Sequence, residues 1–224
     1  MTTYHLFDET PSLGLVADSG GLSLGTEFYV TSPAWVTELR YLSPSAGGSA
    51  TRRTAALYST VDGLTGTLVA GPLLLPVPSD GAWVTGALPA PVPLVPGVHY
   101  RVVVFHPDGG YVAVPRYFLD SGDRIYGPVV VPSTANAISG KQGSYAYDDY
   151  LAFPNSQFNG ASYYADVTVT NVDPAGPPPV VLADIALSVG LPTGHPLTLG
   201  DPTSRTLVVL PPTGNPMTAL EATL

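Results

Sequence analysis

Prolines at positions 72, 76, 78, 89, 91, 93 and 96 rule out a helix between those residues, because each ring removes a backbone donor and collides with the preceding turn. The same restriction runs through the chain. Its 224 residues include 25 prolines and 24 glycines, well above the average share of the two together. No window before residue 172 keeps apolar residues at i, i+3, i+4 and i+7 between caps. What remains from about residue 22 to 171 is a series of short β-branched or aromatic runs between Gly, Pro, Asp and Ser clusters, the pattern of strands and turns.

Several runs carry the two-residue period of a half-buried strand. In "AWVTELRYL" the residues Trp35, Thr37, Leu39 and Tyr41 fall on one face and Val36, Glu38 and Arg40 on the other. "TAALYS" (54–59) and "GAWVTGAL" (81–88) are of the same kind. In "HYRVVVF" (99–105) both faces are apolar, which predicts a central strand buried on both sides. The closing run places Tyr163, Val167 and Val169 on the core face and Tyr164, Asp166 and Thr168 on the outer face. So many short strands predict an all-β fold, an antiparallel β-sandwich of jelly-roll type over residues 22–171, preceded by an N-terminal segment, 1–21.

From residue 172 the character changes. The last 53 residues hold ten of the prolines and five charged side chains, and "LPTGHPLTLGDP" (191–202) and "LPPTGNPMTALE" (210–221) read as two copies of one unit around the short strand "RTLVVL" (205–210). Two copies are fewer than a self-stable repeat array needs. Residues 172–224 therefore read as an extended Pro-rich arm that docks by strand addition, with Leu191, Pro192, Leu207, Val208, Val209 and Leu210 as its contacts.

Charge and composition narrow the function. A net charge of −9, with 8 Lys and Arg against 17 Asp and Glu, argues against a nucleic-acid partner, whose affinity rests on clustered basic residues. The absence of cysteine removes thiolate chemistry and Cys-ligated metals. The longest apolar stretches are too short and too often broken by proline to span a bilayer. The start, "MTTYHLFDET", has no cationic region leading into an apolar one, so no signal peptide is expected.

Catalytic motifs fail on context. "GLSLG" (21–25) matches G-x-S-x-G, but Ser23 is followed by a strand where a nucleophile elbow requires a helix. His5, His99, His106 and His195 are scattered without metal-ligand spacing, and His106 reads as the cap of a hairpin turn at Asp108-Gly109-Gly110. Asp148 and Asp149 are neighbours, which on a strand sends them to opposite faces and defeats paired-carboxylate hydrolysis. No enzyme activity, metal or cofactor is expected. The candidates for contact with a glycan or a protein partner are the aromatic run Tyr145, Tyr147, Tyr150, Phe153 and Phe158 with Asp148 and Asp149, because tyrosine joins an apolar ring to a polar tip.

The order of the pieces "LGTEFYVTSPAWVTELRYL", "AALYSTVDGLTGTLVA", "GAWVTGALPAPVPLVPGVHYRVVVFHPDGGYV" and "FPNSQFNGASYYADVTV" resembles a domain-of-unknown-function family found beside actinobacterial secreted glycosidases and surface proteins and in actinobacteriophage virion proteins. The family closes on an Asn-Tyr-Trp-Val-Asp-Val type run; here Tyr164 stands in place of the Trp and Ala165 in place of the Val. The resemblance implies a β-sandwich accessory module without recognised catalytic residues. Joined to the layout, it gives two expectations. One is a non-enzymatic virion protein of the tail, capsid decoration or fibre, carried on the extracellular particle among other virion proteins, with homo-oligomers in view. The other is a carbohydrate-binding module for a cell-surface glycan.

Overall fold

The computed structural model describes residues 2–46, 51–119 and 122–174, with 206–207 and 222–223. In chain order the strands are β1 (Thr3–Tyr4), β2 (Val16–Ala17), β3 (Leu22–Val30), β4 (Ala34–Leu42), β5 (Thr54–Thr60), β6 (Thr67–Leu74) and β7 (Trp83–Leu94). They continue with β8 (His99–His106), β9 (Gly110–Tyr111), β10 (Arg124–Tyr126), β11 (Val129–Val131), β12 (Ser144–Tyr147), β13 (Ser156–Gln157) and β14 (Ala165–Thr170). One four-stranded antiparallel sheet runs β1-β14-β4-β7, and a larger one runs β10-β11-β3-β8-β5-β6, with β12 also on β3 and β13 on β12. Apolar side chains from both sheets, among them Phe28, Val102, Val104 and Leu57 from the larger and Val36, Leu39, Val167 and Val169 from the smaller, share one core. The fold is an all-β antiparallel sandwich.

Strand β8 lies between β3 and β5, and Tyr100 through His106 are all buried, as its two apolar faces predict. The proline-rich run is a strand as well. Pro89, Pro91 and Pro93 lie in β7, an edge strand paired on one side with β4. Pro93 stands opposite Trp35, whereas residues 88 to 91 have no partner in β4, so Pro89 and Pro91 occupy an irregular stretch that asks no ladder donor of them. Proline in a sheet is confined to edges and such irregularities.

Two expectations about phase are corrected. Against β14 the register of β4 shifts between Val36 and Glu38, which leaves Thr37 as an extra residue, and at the same point the β7 side skips residues 88 to 91. Such a bulge reverses the alternation: Val36, Leu39 and Tyr41 are buried, while Trp35 and Thr37 are only half-buried. The second correction concerns Tyr164, Asp166 and Thr168, which do not face outward. Tyr164 has φ +54, and this left-handed residue turns its ring into the core against Phe7 at 4.7 Å, while Tyr163 joins a separate cluster with Leu22, Leu24 and Ala161. Residues of the N-terminal segment cover what would have been the outer face. Strand β1 pairs with β14, and Asp166 accepts the Leu6 and Val167 N–H groups at 2.7 and 2.6 Å while Arg40 Nη2 lies 2.6 Å away. Burial still pushes Asp166 up to about 6, against the pull of Arg40.

At the end of β8, His106 caps the turn as expected: Nδ1 lies 2.8 Å from Gly110 O, and Gly109 has φ +69. The turn is not the expected hairpin, because β8 is already paired on both sides with β3 and β5 and the chain leaving the turn pairs with β2. Burial, helped by the Arg53 cation, draws His106 down to about 3, so the ring is neutral.

The chain divides into a compact unit, Met1–Val180, and a second, Val181–Leu224. In the second, β15 (Thr206–Leu207) pairs antiparallel with β16 (Ala222–Thr223). Of the arm contacts, Leu207 falls in β15, whereas Leu191, Pro192, Val208, Val209 and Leu210 lie outside the described residues.

Candidate functional site

Strand β3 carries two partners along the edge away from β8. Val30 and Tyr29 pair with β11, and Leu22 to Gly25 pair with β12. Between them the Gln142 side chain acts as a piece of strand: its Oε1 accepts Glu27 N–H at 2.8 Å and its Nε2 donates to Glu27 O at 2.8 Å. This splice brings the chain into β12 in register, Tyr145 opposite Leu24 and Tyr147 opposite Leu22. Directly paired residues project from the same face, so both tyrosines rise over Leu22 and Leu24.

The turn before β12 and the loop after it are held from below by a buried cation. Arg101 of β8 is fully buried; its Nη2 donates to Glu27 Oε2 at 2.8 Å and its Nη1 to Pro154 O at 2.7 Å and Gly63 O at 3.0 Å. Glu27 Oε1 accepts the Ile138 N–H at 2.9 Å and lies 2.9 Å from His99 Nδ1. Burial lowers the Arg101 pKa, and the Glu27 carboxylate opposes that shift. Phe153 lies over the guanidinium at 4.8 Å and edge-on to Tyr58 at 5.5 Å.

On this support sits a cleft of about 230 Å3 lined by Asp18, Leu22, Leu24, Tyr111, Tyr145, Tyr147, Phe158 and Tyr163. Leu22, Leu24 and Tyr163 form its buried floor, and Tyr147 and Phe158, each 62 % exposed, form its rim. Asp18 Oδ2 accepts hydroxyl protons from Tyr111 at 3.1 Å and Tyr147 at 2.9 Å. A shallower cleft on the other side of Tyr147 is lined by Ser19, Gly20, Gly21, Asp148 and Asp149.

The structure thus gathers Tyr145, Tyr147 and Phe158 in one cleft and places Asp148 and Asp149 beside it. Tyr150, exposed, belongs with Asp149 to a third depression formed with Thr54, Tyr58, Leu68, Pro72, Phe105 and Leu151. Phe153 faces Arg101 instead. Ser23 lies within β3, fully buried, its Oγ accepting the Ala152 N–H at 3.0 Å. Among the described residues, no three His, Asp or Glu side chains are gathered as a metal site. Sequence reasoning missed Asp18 and Tyr111, which β2–β9 pairing brings to the cleft; the Asp-Ser-Gly-Gly turn ahead of β3 and the tyrosine after Gly109-Gly110 were the available signals.

Fold and cleft together define a β-sandwich with a tyrosine-lined concavity at one end of its larger sheet. The chain belongs to the DUF4082 family, a domain of unknown function, whose family model matches residues 8–165. That match begins inside the N-terminal segment, in keeping with the contribution of Glu9 and Asp18 to the folded unit. No curated protein matches the chain.

Proposed function

We propose that the domain is a non-enzymatic binding module that receives a cell-surface glycan in the tyrosine-lined cleft. The observation that carries this reading is the convergence of five aromatic side chains from four separate segments on one small concavity beside a carboxylate. Its volume is below the roughly 300–1,000 Å3 of sites for drug-sized ligands, which suits one sugar residue at a time. Rings with polar tips can stack on the apolar face of a sugar and bond its hydroxyls. Binding to a panel of bacterial cell-wall and capsular glycans tests it. Tyr145→Ala, Tyr147→Ala and Phe158→Ala should each weaken binding about tenfold, the loss of roughly 1.4 kcal/mol. Unchanged binding in all three variants would remove the cleft from the account.

The family resemblance and the layout, a compact unit followed by the Pro-rich segment 181–224, support a setting for such a module: a phage tail, decoration or fibre protein, presenting the sandwich outward and anchored through residues 172–224. Deleting those residues should then abolish incorporation into particles, measured by mass spectrometry of purified virions. Retention at the wild-type level would refute that anchoring role.

A further inference from the structure

We propose that the group the cleft selects is a cationic amine on the sugar, the free ammonium of an amino sugar, in preference to a neutral or N-acetylated residue. The inference rests on the glycan reading and names the class of sugar.

Hydrogen-bond polarity comes first. A neutral sugar hydroxyl carries one donor and two acceptor sites, so an acceptor wall uses only part of its bonding capacity. Here the hydroxyl protons of Tyr111 and Tyr147 are already committed to Asp18 Oδ2. What Tyr111, Tyr147 and Asp18 still offer is acceptor character, phenolic oxygen lone pairs and, among the described residues, the Asp18 Oδ1 atom, while the Tyr145 and Tyr163 hydroxyls of the same lining can turn to accept as well as donate. An ammonium, with three donors and no acceptor, complements such a wall.

Ring geometry points the same way. Tyr145 and Tyr147 meet at 68° with centroids 5.6 Å apart, and Tyr111 and Tyr163 at 73° and 5.7 Å. Rings at such angles form corners rather than a continuous flat platform. Corners of electron-rich ring faces around a carboxylate suit a compact organic cation.

The surrounding charge adds to both. The residues lining this cleft and the neighbouring one are acidic or uncharged, with Asp18 in the first and Asp148 and Asp149 in the second. The chain as a whole carries −9. A concavity lined by one sign of charge concentrates ligands of the other. The phenols stay protonated: burial and the Asp18 carboxylate both raise Tyr111, while the Asp18 hydrogen bond is the leading cause at Tyr147.

Isothermal titration of the full chain against four probes tests this: a glucosamine oligomer, the N-acetylglucosamine oligomer of equal length, a neutral glucose oligomer, and choline, all at mildly acidic pH and low salt. The glucosamine oligomer should bind at least tenfold more tightly than its acetylated and neutral counterparts. Asp18→Asn should cut the preference for the glucosamine oligomer over its acetylated counterpart about tenfold, read as the ratio of the two affinities. Should Asp18→Asn fail to fold, the wild-type salt dependence serves instead, since only the cationic oligomer should weaken as sodium chloride rises. Equal affinity for cationic and neutral oligomers, lost in Tyr147→Ala, would overturn the ammonium inference and leave the glycan reading standing. Choline binding without glucosamine binding would overturn the amino-sugar assignment and the glycan reading together. Silence toward all four probes would overturn the inference too.

Discussion

Arg101→Ala should lower the stability of the domain by about 3–5 kcal/mol, the range for removing one partner of a buried ion pair, as measured by urea denaturation. The guanidinium has no exposure and spans three segments: Glu27 in β3, Gly63 in the loop after β5, and Pro154 in the loop after β12. Removing it leaves the Glu27 Oε2 atom and two carbonyls without their donor, each an unmet desolvation cost. Arg101→Lys should recover only part of the loss, because an ammonium is a point donor and cannot hold the carboxylate and two carbonyls in one planar fork. Combining Arg101→Met with Glu27→Leu should cost less than the two single changes added together, since no buried charge then stands alone. A loss below about 1 kcal/mol for Arg101→Ala would mean the pair is solvated and the loop it anchors is held by other contacts.

Gly143→Ala should be comparably damaging, by roughly 3 kcal/mol or more, the upper tail for single substitutions. Gly143 has φ +65, and an added Cβ would lie 1.7 Å from Ala161 O. The obstacle is backbone, so no rotamer change relieves it, and the two segments that must separate are the entry to β12 and the chain at Ala161, which packs with Leu22, Leu24 and Tyr163. Gly97 supplies the control. Its φ is +77, but nothing lies within 4 Å of the position a Cβ would take, so Gly97→Ala should cost only the left-handed penalty of roughly 1–2 kcal/mol. Thermal unfolding of both variants separates steric conflict from backbone preference. Equal losses would show that φ alone sets the cost at Gly143.

How far the sequence discloses this molecule depends on whether the information is local. The period-2 run 99–105 marks the central strand because both faces are apolar and the strand has neighbours on both sides. The phase of β4 is not readable, since the bulge at Thr37 arises from how β14 pairs with it. Prolines at every second residue of 89–93 exclude a helix but carry a second message, an edge strand, that emerges only once the pairing of β7 is known. Tyr164 misleads for a related reason: alternation predicts the outer face, and a single left-handed residue with a covering N-terminal segment reverses it. At the cleft, Tyr145, Tyr147 and Phe158 stand out as an aromatic run, whereas Asp18 and Tyr111 reach them through contacts spanning tens of residues. Phe153 is indistinguishable from its neighbours until Arg101 is found beneath it.

The central claim is that the concavity between β3, β9 and β12 holds the ligand. Backbone amide chemical-shift mapping by NMR during titration with a glucosamine oligomer tests it most directly. Saturable shifts are expected at the residues lining the cleft, Asp18, Leu22, Leu24, Tyr111, Tyr145, Tyr147, Phe158 and Tyr163, and absent in Tyr147→Ala. Shifts centred on β6 and β7 at the far edges of the two sheets, or none at saturating oligomer, would contradict it.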